Sequence, residues 1–167
     1  MRASGASLLA RLRRDGAHRY DVGVPSDPSV LVIIPTYQEA LNIENILRQL
    51  REAVPSAAVL VVDDNSPDGT ADIAEKIGVE IGGIEVLRRP VKSGLGSAYR
   101  AGFAYGRESD YDVMVEMDAD LSHDPMSLPS LLQCINDGAD LAVGSRYILG
   151  GAIPGWPAHR ALSLIHI

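Results

Sequence analysis

The chain has 167 residues, 46% hydrophobic and 22% charged, with a formal net charge of −7. That balance suits one soluble globular domain and excludes collagen, disulfide scaffolds and wholesale disorder. No apolar run approaches the roughly 18 residues of a membrane-crossing helix, and the lone cysteine, Cys134, leaves no disulfide to build and fits a reducing compartment.

The charge is unevenly spread. Residues 1–28 hold Arg2, Arg11, Arg13, Arg14 and Arg19 against three aspartates, which leaves the other 139 residues at a net −9. The basic segment reads as a disordered leader, or as an interfacial one with Leu8, Leu9 and Leu12 on one helical face. Its apolar stretch is too short for a secretory signal. The acidic body argues against a nucleic-acid duplex as partner, because phosphate binding needs a basic stripe. It suits a site where a divalent cation carries positive charge to an anionic substrate.

In chain order, Val30–Ile34 is an unbroken β-branched run ending at Pro35, the composition of a strand buried on both faces. Ile43, Ile46, Leu47 and Leu50 recur at helical spacing. Ala58–Val62 predicts a second buried strand, stopped by Asp63-Asp64-Asn65. Pro67-Asp68-Gly69 makes a turn, and Thr70 is placed to cap the helix that follows. Ile84–Leu87 is a shorter third strand, and residues 94–107 read as a helix rich in small residues. Asp112–Met117 is a fourth strand. Asp124-Pro125 opens a helix with Leu128, Leu131, Leu132 and Ile135 on its inner face and Cys134 as core. Asp140–Val143 predicts a fifth strand. Strands alternating with helices at this spacing mean βαβ units and an α/β, doubly wound, mostly parallel sheet with helices on both faces.

Ligands of such sheets sit beyond the carboxyl ends of the strands, and the polar residues gather there. Strand one ends in Pro35-Thr36-Tyr37-Gln38-Glu39, strand two in Asp63-Asp64, strand four in Asp118-Ala119-Asp120 and strand five in Gly144-Ser145-Arg146. In extended backbone, alternate residues point the same way, so Asp118 and Asp120 can present two carboxylates from one short turn. Oxygen ligands select hard cations, Mg²⁺ or Mn²⁺, and a nucleotide diphosphate can complete the coordination. Lys92 with Gly94 and Gly96 reads either as a phosphate-approaching loop or as the tight start of a closely packed helix. His123 is either a metal neighbour or a loop histidine at a helix start. No Ser-His-Asp, Cys-His or zinc pattern is present.

Taken together, Val32–Glu39, Val61–Thr70, Lys92–Gly96, Met117–His123, Gly144–Tyr147, Gly150-Gly151 and Trp156-Pro157 resemble the polyprenol (dolichol) monophosphate mannose synthases, family 2 glycosyltransferases of the GT-A fold. The resemblance runs from about residue 30 to 161. It implies a Rossmann-like catalytic domain over 29–161 and metal-dependent, inverting transfer of mannose from GDP-mannose to a polyprenyl phosphate. It also implies that Pro35, Tyr37, Glu39, Val62, Asp64 and Lys92 hold the donor, and that Asp118, Ala119 and Asp120 meet the ribose, diphosphate and metal. Asp120 is the implied metal ligand, with Ser122 a weaker second. Arg146 would contact donor and acceptor phosphates, and Arg160 the acceptor's, with Asp118, Asp120 and Arg146 central to catalysis. The implied setting is the cytoplasmic face of a membrane, peripherally bound, leaving open a membrane-protein partner or a fused membrane domain.

The chain departs from the family after Ala161. Residues 162–167, Leu-Ser-Leu-Ile-His-Ile, match what CTG TCT CTT ATA CAC ATC, a transposase adaptor end used in sequencing libraries, would encode. They are therefore expected to be a non-native tail on a catalytic domain incomplete at its C-terminus, with a chain that turns nothing over as one reading. Two other readings compete. A related enzyme would move glucose or another sugar to the same acceptor. A signalling receiver would use Val59–Asn65 as its first strand and Asp118 as phosphoacceptor, but a whole βα unit precedes that strand and no lysine follows Lys92.

Overall fold

The computed structural model describes residues 28–145, of which 28–129 form one structural unit and 130–145 belong to a second. Nearly all of the leader, Arg146, Arg160 and the 162–167 tail lie outside the described residues. The elements follow in the order β1 Val30–Thr36, α1 Ile43–Ala53, β2 Ala58–Asp63, α2 Thr70–Ile81, β3 Ile84–Arg88, α3 Leu95–Glu108 and β4 Val113–Glu116. A single 3-10 turn, Pro125–Ser127, then leads into α4, Leu128–Asn136.

The β-branched runs become the two central strands of a four-stranded parallel sheet of order β3-β2-β1-β4. Residues 31–36 of β1 and 59–63 of β2 are buried, as expected for strands covered on both faces. Register pairs Ile33 with Leu60 and Pro35 with Val62, so these side chains share a face with Leu31. Leu31, Ile33, Leu60 and Val62 form one buried cluster with Ala98 of α3. The opposite face is left to α2, which packs along β2 and β3, and to α1, which packs on α2 through its buried Ile43, Ile46, Leu47 and Leu50 stripe.

The strand order reverses between β1 and β4, the position where doubly wound sheets open a ligand crevice. Here the β1–β4 pairing ends for a local reason. The Met117 N–H donates to the Ile33 carbonyl at 3.2 Å, and the next β1 residue facing β4 is Pro35, which has no N–H to offer. The β1–β4 ladder ends there, while on the other side the Asp64 N–H still reaches the Thr36 carbonyl at 3.0 Å. β1 therefore runs through Pro35 to Thr36 instead of stopping at the proline, because only one of its two ladders needs that donor.

Three further expectations are corrected. Residues 140–145 contain no strand, and Leu141 and Val143 are exposed; so short an apolar run becomes a strand only with a ladder partner, and none occurs among the described residues. Thr70 does not cap α2. Gly69, at φ 83°, holds the cap position, and the carboxylate of Asp68 accepts the Thr70 N–H instead. On α4 only Leu128 is buried, while Leu131, Leu132, Cys134 and Ile135 are half-buried. The Asp124 cap is as expected, its carboxylate accepting the Met126 N–H at 2.9 Å with Pro125 following. Among the described residues no helix is long and apolar enough to cross a membrane.

The small residues of α3 let it approach the sheet closely. A Cβ on Gly102 would lie 2.4 Å from Ile33 Cγ2, and one on Gly106 would lie 2.6 Å from Met114 Sδ. Ile33 is β-branched and fully buried, whereas methionine can swing its sulfur aside. Gly102→Ala is thus expected to destabilise the fold by about 1–3 kcal/mol, and Gly106→Ala by less. Urea unfolding of the two variants checks the order.

Candidate active site

The loops after β1 and β2 are laced together at the carboxyl edge of the sheet. Asp63, 2% exposed, accepts from Thr36 Oγ1 at 2.9 Å and Ser66 Oγ at 2.6 Å through one oxygen, and from the Ser66 N–H at 2.8 Å through the other. A buried carboxylate persists only with such a full set of donors. Further links follow from the first loop: the Gln38 N–H donates to Ser66 Oγ at 3.1 Å, the Glu39 N–H to Thr70 Oγ1 at 3.0 Å, and the Ala40 N–H to Asp68 Oδ2 at 3.1 Å. The Asp-Asp-Asn-Ser-Pro-Asp-Gly-Thr segment is thus a clamp that shapes the loop carrying Tyr37 and Glu39. Pro35 and Val62 are buried beneath that loop, and Tyr37 and Glu39 are half-buried.

Asp64 fastens a different loop. Its Oδ1 lies 2.6 Å from Arg89 Nη1, and its Oδ2 accepts the N–H groups of Ser93 and Gly94 at 2.9 and 3.0 Å. The pair is well shielded, with the Arg89 and Asp64 side chains 14% and 6% exposed, and Arg89 also donates to Ser97 Oγ at 2.7 Å. The glycine-rich loop is therefore no open phosphate cradle here, because two of its amides already serve a carboxylate. Gly94, at φ 85°, supplies the left-handed turn that aims them. Lys92 projects from the same loop and places Nζ 3.5 Å from the centroid of the Tyr37 ring, a cation–π contact that joins the first and third loops.

The third component is the turn after β4. Ala119 is buried, with Asp118 half-buried before it and Asp120 exposed after it. Asp118 Oδ1 accepts the Tyr99 hydroxyl of α3 at 3.0 Å, and the Asp118 N–H donates to His123 Nδ1 at 3.2 Å. His123 Nδ1 also lies 4.0 Å from Asp118 Oδ2. Asp120 Oδ1 accepts the Ser122 N–H at 2.9 Å, which pins the turn around Leu121. Desolvation, followed by the charge and hydrogen bond of Asp118, pushes the Tyr99 phenol well above its ordinary pKa, so the phenol remains the donor. Gln38, Asn65 and Leu121, each at φ 61°, put a left-handed non-glycine residue in the loops after β1, β2 and β4.

Among the described residues no cluster of three or more acidic, histidine or cysteine side chains could hold a metal alone. The donor set still fits a hard divalent cation, which typically takes one or two carboxylates and completes its shell with water and substrate phosphate. Asp118 and Asp120 are the carboxylates that could supply this. Tyr99, Arg89, Ser66 and Asp68 were not legible as site residues. Tyr99 reads as one more apolar position of α3, and nothing in sequence spacing pairs Arg89 with Asp64.

Comparison with known proteins fits this layout. Residues 31–165 match the model of glycosyl transferase family 2. The chain belongs to glycosyl transferase family 2. Within the family it is 52% identical over 133 residues to an undecaprenyl-phosphate mannosyltransferase of Micrococcus luteus, covering 80% of this chain and 54% of that protein. It is 45% identical over 149 residues to a polyprenol monophosphomannose synthase of Mycolicibacterium smegmatis, covering 89% of this chain and 56% of that one. The chain thus spans about half the length of these family 2 relatives. A solved mannosyltransferase of Pyrobaculum calidifontis, in complex with GDP-Man and Mn²⁺, superposes with a TM-score of 0.51 at 27% identity, covering 62% of this chain and 31% of its own.

Within this family 2 chain, the clamp should be sensitive to acid. Partial desolvation pushes the Asp68 carboxyl up, but hydrogen bonds from the Thr70 hydroxyl and the Ala40 and Thr70 amides outweigh it and hold it below the usual carboxylate range. A depressed folded value means the unfolded chain takes up the proton first. The contribution is therefore complete above about pH 4, the ordinary aspartate value, and is lost as pH falls through the folded value. Asp68→Asn should lower stability at neutral pH, with the gap to the parent chain closing toward pH 2–3; thermal unfolding across that range measures it.

Proposed function

We propose that the protein transfers mannose from GDP-mannose to a polyprenyl phosphate, with inversion at the anomeric carbon. The observation that carries this reading is the Asp118-Ala119-Asp120 turn at the carboxyl end of β4, just past the point where pairing with β1 ends. The names of the relatives, all prenyl-phosphate mannosyltransferases, and the GDP-Man and Mn²⁺ of the Pyrobaculum structure support the choice of donor, acceptor and metal.

The chemistry suits the residues. A phosphate oxygen of the acceptor is already ionised at neutral pH, so it can attack the anomeric carbon without a strong general base. The new carbon–oxygen bond forms as the bond to GDP breaks, and GDP leaves with the bonding electrons. A divalent cation at Asp120, with Ser122 as a second contact, would supply positive charge to the departing diphosphate. Pro35, Tyr37, Glu39, Val62 and Asp64 would hold the guanosine half, and Lys92 stands beside Tyr37. Asp118 and Ala119 would meet the ribose and diphosphate, while Arg146 and Arg160 would serve the phosphates. Catalysis then rests on positioning and charge stabilisation. The lipid acceptor implies work at a membrane surface, at its cytoplasmic face, by a peripheral domain.

Isothermal titration of the chain with GDP-mannose or UDP-glucose, each with Mn²⁺, tests the reading, alongside transfer of labelled mannose to a polyprenyl phosphate. GDP-mannose is expected to bind only with metal present, and Asp120→Asn to weaken that binding at least tenfold. Preference for UDP-glucose would overturn the mannose assignment.

A further inference from the structure

We infer that Tyr99 is a positioning residue: its hydroxyl holds Asp118 in the orientation in which the Asp118–Asp120 turn receives the metal-bound diphosphate. The inference rests on the proposed function and adds to it a residue from a different element, the first turns of α3.

Four observations lead to it. The β1–β4 ladder stops at Ile33 and Met117, so among the described residues no sheet hydrogen bond fixes Asp118. The Tyr99 ring is anchored, packed against the buried cluster of Leu31, Ile33, Leu60, Val62 and Ala98, and a tyrosine so held has little freedom left to lose. Its hydroxyl reaches Asp118 Oδ1 across 19 residues of chain at 3.0 Å. Lastly, His123 fixes the Asp118 main chain through its N–H, so backbone and carboxylate are held separately. With Oδ1 committed to the phenol, Oδ2 is the oxygen through which Asp118 can meet an incoming ligand. An outer hydrogen bond of this kind orients a ligating group, and its loss typically lowers metal affinity about 10–100-fold.

The phenol gives a clean test, because Tyr99→Phe keeps the ring and removes only the hydroxyl. Mn²⁺ binding in the presence of GDP is followed by electron paramagnetic resonance on the parent chain, Tyr99→Phe, Asp118→Ala, the double variant and Asp120→Asn, with urea unfolding of each. Tyr99→Phe is expected to weaken Mn²⁺·GDP binding about tenfold or more while keeping the parent's unfolding midpoint without ligand. It should add nothing in the Asp118→Ala background, since the two groups act as one. Unchanged Mn²⁺·GDP affinity in Tyr99→Phe, with affinity lost in Asp120→Asn, would overturn the inference alone. So would fully additive losses in the double variant, which also decides the matter if Tyr99→Phe proves less stable. Failure of the parent chain to bind Mn²⁺·GDP would instead overturn the proposed function beneath it.

Discussion

A missing hydrogen sets the geometry of this edge of the sheet. β1 is the second strand in from β4's edge and must satisfy two ladders, yet Pro35 can donate to neither. On the β2 side the ladder does not need it, and pairing continues to Thr36 and Asp63. On the β4 side it does, and pairing stops at Ile33 and Glu116. Pairing thereby ends early on one side, at the switch point of the sheet, the place where doubly wound sheets receive their ligands. The loop holding Tyr37, the turn holding Asp118 and the helix bringing Tyr99 all take their positions around that point.

The fold also has to hold this edge, and two adjacent aspartates divide the work. Asp63 points back to β1 and binds Thr36 and Ser66; Asp64 points forward and binds Arg89, Ser93 and Gly94. Consecutive residues of a strand face opposite ways, so one dipeptide reaches both neighbouring loops. Each carboxylate is buried and would be costly without its donors. The same two residues thus link the first, second and third βα connections into one frame, on which more exposed groups can be displayed.

The sheet was legible where burial alone decides structure. Val30–Ile34 and Ala58–Val62 are apolar at every position, and only a strand covered on both faces tolerates that; the Ile43, Ile46, Leu47, Leu50 stripe is equally one-sided. Legibility failed where partners distant in sequence decide. Asp140–Val143 looks like a strand, but a strand is a relation between two segments. Thr70 has a capping side chain, yet Glu39 from the first loop and Asp68 claim it. Lys92–Gly96 looks like a phosphate loop until Asp64 takes two of its amides. The polar edge was found because acidic residues repeat after successive strands; which of them are structural depends on donors that spacing does not show. Tyr99 is hidden for the converse reason, since its ring is core and only its last atom belongs to the site.

The left-handed residues at this edge carry a consequence of their own. Gln38, Asn65 and Leu121 sit in the loops after β1, β2 and β4, and only Asp110, before β4, shares their conformation among the described non-glycine residues. Leucine and glutamine resist that region by about 1–2 kcal/mol each, a cost that glycine would not incur. Selection for stability alone would put glycine at 38 and 121. The chain instead keeps side chains there, in loops whose stiffness holds Tyr37 and Asp118 in place. The most direct route to a more stable protein therefore runs through the residues that keep this edge in shape, and taking it would trade thermal robustness against preorganisation.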